Sequence, residues 1–290
     1  MRESPLPASG EKGVQRNCPH HAPYAPCVAL FFLLTLALTW ASWLAAMSLP
    51  ALRLPLLYLG IFAPAIVALS LTARSDGRAG VAALLRRLFE WRVGARWYLF
   101  AFGYIAAIKL TVAVIHRLGT GAWPRFGDEP WPLMIGATIF SVVAGGQTGE
   151  EIGWRGYALP RLAARFGFGG ASVILGVIWA CWHLPLFFFP GSDIKGQSFP
   201  LYLLQVTAMS VAIAWLYVHA KGSLLLTMLM HAAVNNTKDI VPSAVPGATD
   251  PWALSTSLVA WLTVALLWLC AAYFLVRMKV YTPYKELAIA

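Results

Sequence analysis

Residues 27–48 read CVALFFLLTLALTWASWLAAMS, a run of twenty-two positions without one charged side chain. A helix rises 1.5 Å per residue, so about twenty apolar residues cross a hydrocarbon core of about 30 Å. Comparable stretches recur, and we place spans at 27–48, 54–73, 96–116, 131–149, 171–189, 199–219, 222–240 and 254–276. The composition agrees, with 59% hydrophobic and 12% charged residues and a mean hydropathy of +0.66. A soluble domain carries about 25% charged residues, so this surface is too poor in charge to face water everywhere. The expected fold class is all-α: a polytopic transmembrane helical bundle of about eight transmembrane helices forming a single domain over 27–280. The run from Val28 to Leu49 is too long for the apolar part of a cleaved signal peptide and reads as a retained anchor.

A pI near 9.7 and a net charge of +10 would suit nucleic acid, but the basic residues are sorted by loop. Eight crossings put both ends on one face. That face collects Arg2, Lys12, Arg16, Arg74, Arg78, Arg86, Arg87, Arg92, Arg96, Arg155, Arg161, Arg165, Lys221, Arg277, Lys279 and Lys285, against Arg53, Arg117, Arg125, Lys195 and Lys238 on the other. Such a bias predicts an integral membrane protein of a bacterial inner membrane or its equivalent, with both termini cytoplasmic. Anionic headgroups of the lipid bilayer account for the charge without nucleic acid.

Between the second and third spans, DGRAGVAALLRRLFEWR (76–92) sets Val81, Leu84, Leu85, Leu88 and Phe89 at helical spacing, with Arg86, Arg87 and Arg92 on other faces. This predicts one interfacial amphipathic helix on the cytoplasmic side. Residues 1–26, with five prolines, read as a disordered cytoplasmic tail, and 281–290 as a C-terminal one. Pro160 is expected to stop the helix carrying Arg155, and 161–170 to form a turn. Cys18, Cys27, Cys181 and Cys270 show neither a disulfide framework nor CxxC spacing, and Cys18 and Cys27 merely bracket His20 and His21.

Against this apolar background a few polar groups stand out, because an ionisable side chain at membrane depth costs about 2.5–3.5 kcal/mol or more. Glu150 and Glu151 in GGQTGEEIGWRGYALPRL are adjacent, about 100° apart on a helix, while Glu151 and Arg155 share a face at i,i+4. Trp179 and His183 share a face of the fifth span, and His231 and Asn235 a face of the seventh. Cys181 lies roughly 200° round the helix from His183, a poor geometry for a Cys–His nucleophile. Each pair alone is explained as an ion pair or packing glue. Together, a carboxylate, two imidazoles and an amide are what water activation needs: a base, an orienting group and an oxyanion donor. Lys109, deep in the third span, is too far from an end to snorkel easily and calls for a buried partner, a carboxylate such as Glu150 or Glu151 being one candidate.

The ordered set EExxxR, aromatic-xxxHis and HisxxxAsn resembles the CPBP family of intramembrane proteases, which includes the CAAX prenyl endopeptidases of the Rce1 type and bacteriocin-processing or immunity (Abi-type) homologues. The similar region covers about 130–240; Trp179 stands where that family usually has Phe. The resemblance implies an intramembrane endopeptidase in which Glu150 activates water with His183 assisting, while His231 and Asn235 hold the water or the oxyanion. It makes Glu151, Arg155 and Trp179 supporting residues, with Glu151 and Arg155 fixing the helix or a substrate carboxylate. Its partner would be a peptide or protein substrate, prenylated or not. Zinc is compatible with Glu150, His183 and His231 as a His₂Glu site but is not required, and no HExxH motif is present. Two other classes use similar residues: a proton- or ion-coupled transporter, and a catalytically silent immunity or scaffold protein.

Overall fold

The computed structural model describes residues 24–280, which form helices and loops with no strand among the described residues. Among the described residues nine α-helices follow in order: α1 Tyr24–Ser48, α2 Arg53–Arg86, α3 Ala95–Thr120, α4 Trp131–Ala144, α5 Gln147–Glu151, α6 Leu159–Trp182, α7 Phe199–His219, α8 Leu224–Thr237 and α9 Leu258–Val280. Among the described residues six helical stretches are long and apolar enough to cross a membrane, whereas α4 and α8 have only 14 residues each. At 1.5 Å per residue those two are about 21 Å long, short of a full hydrocarbon core. The bundle is all-α and polytopic, as its composition requires. Residues 1–23 of the expected N-terminal tail, with Cys18, His20 and His21, and the C-terminal 281–290 lie outside the described residues, whereas Tyr24–Pro26, also expected in the tail, begin α1.

Two glycines make the turns that side-chain periodicity alone does not reveal. Gly77 (φ 65, ψ −160) and Gly167 (φ 66, ψ 164) adopt a left-handed backbone inside otherwise continuous helical runs, a conformation in which a Cβ is strained. Gly77 thereby separates the spanning part of α2 from the basic amphipathic segment. In that segment Leu84 is buried in the protein core, Val81, Leu85 and Leu88 are half-buried, and Phe89 is 76% exposed. Gly167 separates the two legs of α6 where a longer turn over 161–170 was expected.

Pro160 does not end its helix. The chain runs α-helical from Gln147, widens into a π-helix over Ile152–Ala158, and continues through Pro160 in the first turn of α6. A proline ring clashes with the carbonyl four residues back and offers no N–H. A wide turn just before it is a register in which both defects are accommodated.

Close packing fixes this run against its neighbours. A Cβ at Gly153 would meet the Pro64 carbonyl carbon and oxygen of α2 at 2.7 Å, and one at Gly176 would meet the Thr207 Cα of α7 at 2.7 Å. Small residues allow such backbone approach in a helical membrane bundle, where packing replaces the hydrophobic drive between helices. Below them Phe31, Trp154 and Tyr157 stack together, with Trp154 fully buried.

The loops sort into two faces. On one, Gly127 donates to the Ile240 carbonyl, Phe199 to that of Pro251, Arg53 to that of Pro190, and Lys238 reaches Asp193. On the other, Ser223 donates to the Glu90 carbonyl and Arg161 lies 3.8 Å from Asp76.

Candidate active site

The π-helix and its α5 lead-in decide where the two adjacent glutamates point. Glu151 is fully buried: its Oε1 accepts from Arg155 Nη1 at 2.8 Å and lies 3.0 Å from His231 Nδ1. The Arg155 guanidinium, also fully buried, sits 4.3 Å from the Trp179 ring centroid. Neither Glu151 nor Arg155 lines the cavity that Glu150 faces. They form a closed ion pair that holds one ring from α8 and one from α6, and the second part of the expected role, a substrate carboxylate on Arg155, has no access.

Glu150 faces the other way. Its Oε2 accepts from Trp179 Nε1 at 2.7 Å, and the residue lines a cavity of about 260 Å³ together with His183, His231 and Asn235. At roughly 30 Å³ per water in the liquid, that volume holds several waters or a short length of polypeptide. These four residues, which lie in three separate sequence motifs, therefore share one space. Trp179 links the two glutamates, hydrogen-bonded to one and stacked on the cation paired with the other.

Both histidines are held by one ring nitrogen. His183 Nδ1 lies 2.8 Å from the Trp179 carbonyl, which can only accept, so Nδ1 carries the proton and Nε2 the lone pair. His231 Nδ1 donates in the same way to the Glu151 carboxylate, leaving Nε2 as its second atom. His183 is set by more than its own helix. It caps α6, its ring packs edge-on to Trp182 (centroids 4.6 Å) and Tyr202 (5.5 Å), and Trp182 is tied to α1 by hydrogen bonds from its Nε1 to Thr39 and from Trp40 to its carbonyl.

His231 and Asn235 ride on α8, whose start is fixed by Ser223 accepting from the Leu226 amide at 3.2 Å. Asn235 is exposed towards the cavity and makes no side-chain hydrogen bond among the described residues, whereas Asn236 next to it is spent on Ser141 and the Ala232 carbonyl. Cys181 packs with the apolar cluster around Phe187 and Ile194 and lies outside the cavity.

Lys109 has buried partners, but not carboxylates. Its Nζ donates to the Val241 carbonyl at 3.0 Å, Ser243 Oγ at 2.7 Å and Thr263 Oγ1 at 3.3 Å, three neutral oxygens for three N–H donors. It thus pins the loop after α8 to α3 and α9 in the cavity wall. Those acceptors are far away in sequence, and nothing in the local pattern around Lys109 points to them. Tyr202, Gln147, Asp193 and Lys238 also line the cavity and were given no part in a site by the sequence, because one aromatic or loop charge carries no periodic signal.

Glu150, His183 and His231 line the same space, yet among the described residues no three His, Cys, Asp or Glu side chains are gathered as metal donors. As arranged, the set does not fit a His₂Glu zinc site, which needs donors about 2.0–2.2 Å from one ion.

The family description "Type II CAAX prenyl endopeptidase Rce1-like" matches residues 129–237, the stretch from the start of α4 to the end of α8 that carries all four cavity residues. Residues 129–237 are thus similar to the Rce1-like family. A curated protein of Methanococcus maripaludis, named CAAX prenyl protease 2, is 25% identical over 228 residues, covering 73% of this chain and 84% of that protein. The Rce1-like match takes in the EExxxR run of α5 and the π-helix, the Trp179–His183 pair of α6 and the His231–Asn235 pair of α8.

Proposed function

We propose that the protein is an intramembrane endopeptidase that hydrolyses a peptide bond with water activated by Glu150. The observation that carries this reading is that Glu150, His183, His231 and Asn235 line one cavity inside a helical membrane bundle. The Rce1-like match over the same helices supports it. The relative's name brings a CAAX-type polypeptide into consideration as substrate; the reaction proposed needs only an amide bond.

The chemistry follows from the atoms left over. Trp179 occupies Oε2 of Glu150, so Oε1 is the oxygen that takes a proton from water. The Nε2 lone pair of His183, fixed by the Nδ1 bond, accepts the water's other hydrogen and orients it. The water oxygen adds to the peptide carbonyl carbon. The resulting oxyanion is met by the Asn235 amide N–H and, when its Nε2 is protonated, by His231, whose positive charge the buried Glu151 would stabilise. Glu150 then passes its proton to the leaving nitrogen as the C–N bond breaks, restoring the carboxylate.

The test is a comparison of new peptide N-termini in membranes of cells making the wild-type chain or Glu150→Gln. Termini present only with the wild type are expected. Identical sets of termini would contradict the proposal.

A further inference from the structure

Four side-chain amides line the cavity, those of Gln147, Gln197, Gln205 and Asn235, and none makes a side-chain hydrogen bond among the described residues. Asn235 already has a part in the proposed hydrolysis. Gln147 has none. It is the most enclosed of the four, 6% exposed, and its Oε1 is buried without a hydrogen-bond partner. Other buried side-chain atoms among the described residues also lack a partner, but Gln147 Oε1 is the one that belongs to a cavity-lining residue. The space it occupies depends on its neighbour, because a Cβ at Gly145 would run into Gln147 Oε1.

Buried acceptors in folded proteins are nearly always paired, and sealing one away from water without a partner is costly. Gln147 and Glu150 are one turn apart on α5 and face the same cavity. Three residues rise about 4.5 Å along a helix, while one extended residue spans about 3.3 Å. The amide therefore sits about one residue along an extended chain from the atoms that Glu150 faces.

We infer that Gln147 is a binding residue for the backbone of a polypeptide in the cavity. Its Oε1 accepts a peptide N–H about one residue from the position opposite Glu150, and its Nε2 offers a donor to a neighbouring carbonyl. As a contact to substrate this rests on the peptidase reading; as a contact to a peptide backbone it stands apart from it. The selection is for a free N–H at one position, irrespective of the side chain there. A proline at that position, or a hydrocarbon tail, seals Oε1 in without a partner and is disfavoured.

The test reads binding rather than cleavage. The full chain carrying Glu150→Gln, purified in detergent, is titrated into a fluorescein-labelled, end-capped pentapeptide of Ala, Leu and Val, chosen to suit Ile105, Val206 and Met209 in the apolar part of the wall. Binding is followed by fluorescence polarisation, and each backbone N–H of the peptide is methylated in turn. Methylation at one position should weaken binding by about 3–10-fold, the worth of one hydrogen bond. Gln147→Leu, made in the same chain, should weaken the unmethylated peptide to the same extent and remove the further effect of that methyl group. It should melt no lower than its parent, since an apolar group replaces an unpartnered polar one. A methyl penalty that persists in Gln147→Leu, a peptide with no sensitive position, a peptide that does not bind, or a lower melting temperature for Gln147→Leu overturns the inference. Because the catalytic carboxylate is absent throughout, a wild-type chain that cleaves no peptide would end the peptidase reading and leave this result standing.

Discussion

One end of this bundle is solid and the other is hollow, and the border between them passes between two adjacent residues. On the solid side Glu151, Arg155 and the Trp154 ring are each fully buried, with the carboxylate paired to the guanidinium and to His231. On the hollow side Glu150, Asn235 and His183 face the shared cavity. The contrast teaches that two glutamates with the same local sequence can be given unlike work by 100° of helix rotation. One is held by permanent partners and fixes geometry. The other keeps an oxygen for a reactant.

The largest effect that would break this contrast is on turnover. Glu150→Gln should lower the cleavage rate by about 10²–10⁴-fold, the range for a positioned general base, read as the rate of product appearance with purified protein. Next comes Glu151→Ala, which strands the Arg155 charge in the interior; breaking a buried pair costs about 3–5 kcal/mol. Its expected outcome is a loss of folded protein in detergent, measured by size-exclusion yield and melting temperature, rather than a folded but inactive chain.

Asn235→Ala sharpens the comparison from the hollow side. Losing one oxyanion donor should cost about 10²–10³-fold in kcat, with the melting temperature unchanged because the amide makes no hydrogen bond within the described chain. Gly153→Leu works from the solid side. Its Cβ would press on the Pro64 backbone, which cannot move aside as a side chain could, and overpacking of this kind costs about 1–3 kcal/mol. Thermal melting should show it.

The smallest expected effect is in the cavity wall, between Asp193 and Lys238. Burial raises the Asp193 carboxyl, but the charge and hydrogen bond of Lys238 outweigh it and hold the group below its ordinary value. A depressed carboxyl stabilises the fold above its unfolded value of about 3.9, and that contribution is lost as pH falls through the folded value. Asp193 is 70% exposed, so solvent screening keeps the pair within about 1 kcal/mol. The melting temperature of Asp193→Asn should trail the wild type slightly at about pH 6, and the gap should narrow as the pH falls below about 3.9. A gap that widens on acidification would reverse the sign of the argument.

The spans and the polar motifs were legible because both are periodic. An apolar run betrays a helix, and i,i+4 spacing puts Trp179 with His183 and His231 with Asn235 on common faces. Two features were not legible for a physical reason. Pro160 signals a helix end by its own chemistry, and only the π-turn before it, set by packing on α2, carries the helix through. Lys109 was read as needing a buried partner, which it has, but neutral oxygens from Val241, Ser243 and Thr263 replace the carboxylate that charge logic suggests. The cavity is also a property of the assembled bundle, since α2, α3, α5, α6, α7, α8 and α9 all contribute to its lining and none marks it alone.

The division of labour between the neighbouring glutamates is tested most directly by measuring cleavage and thermal melting on one preparation of Glu150→Gln. The account predicts a melting temperature within a few degrees of the wild type and a cleavage rate lowered by about 10²–10⁴-fold. A variant that cleaves at the wild-type rate, or that unfolds as Glu151→Ala does, would contradict it.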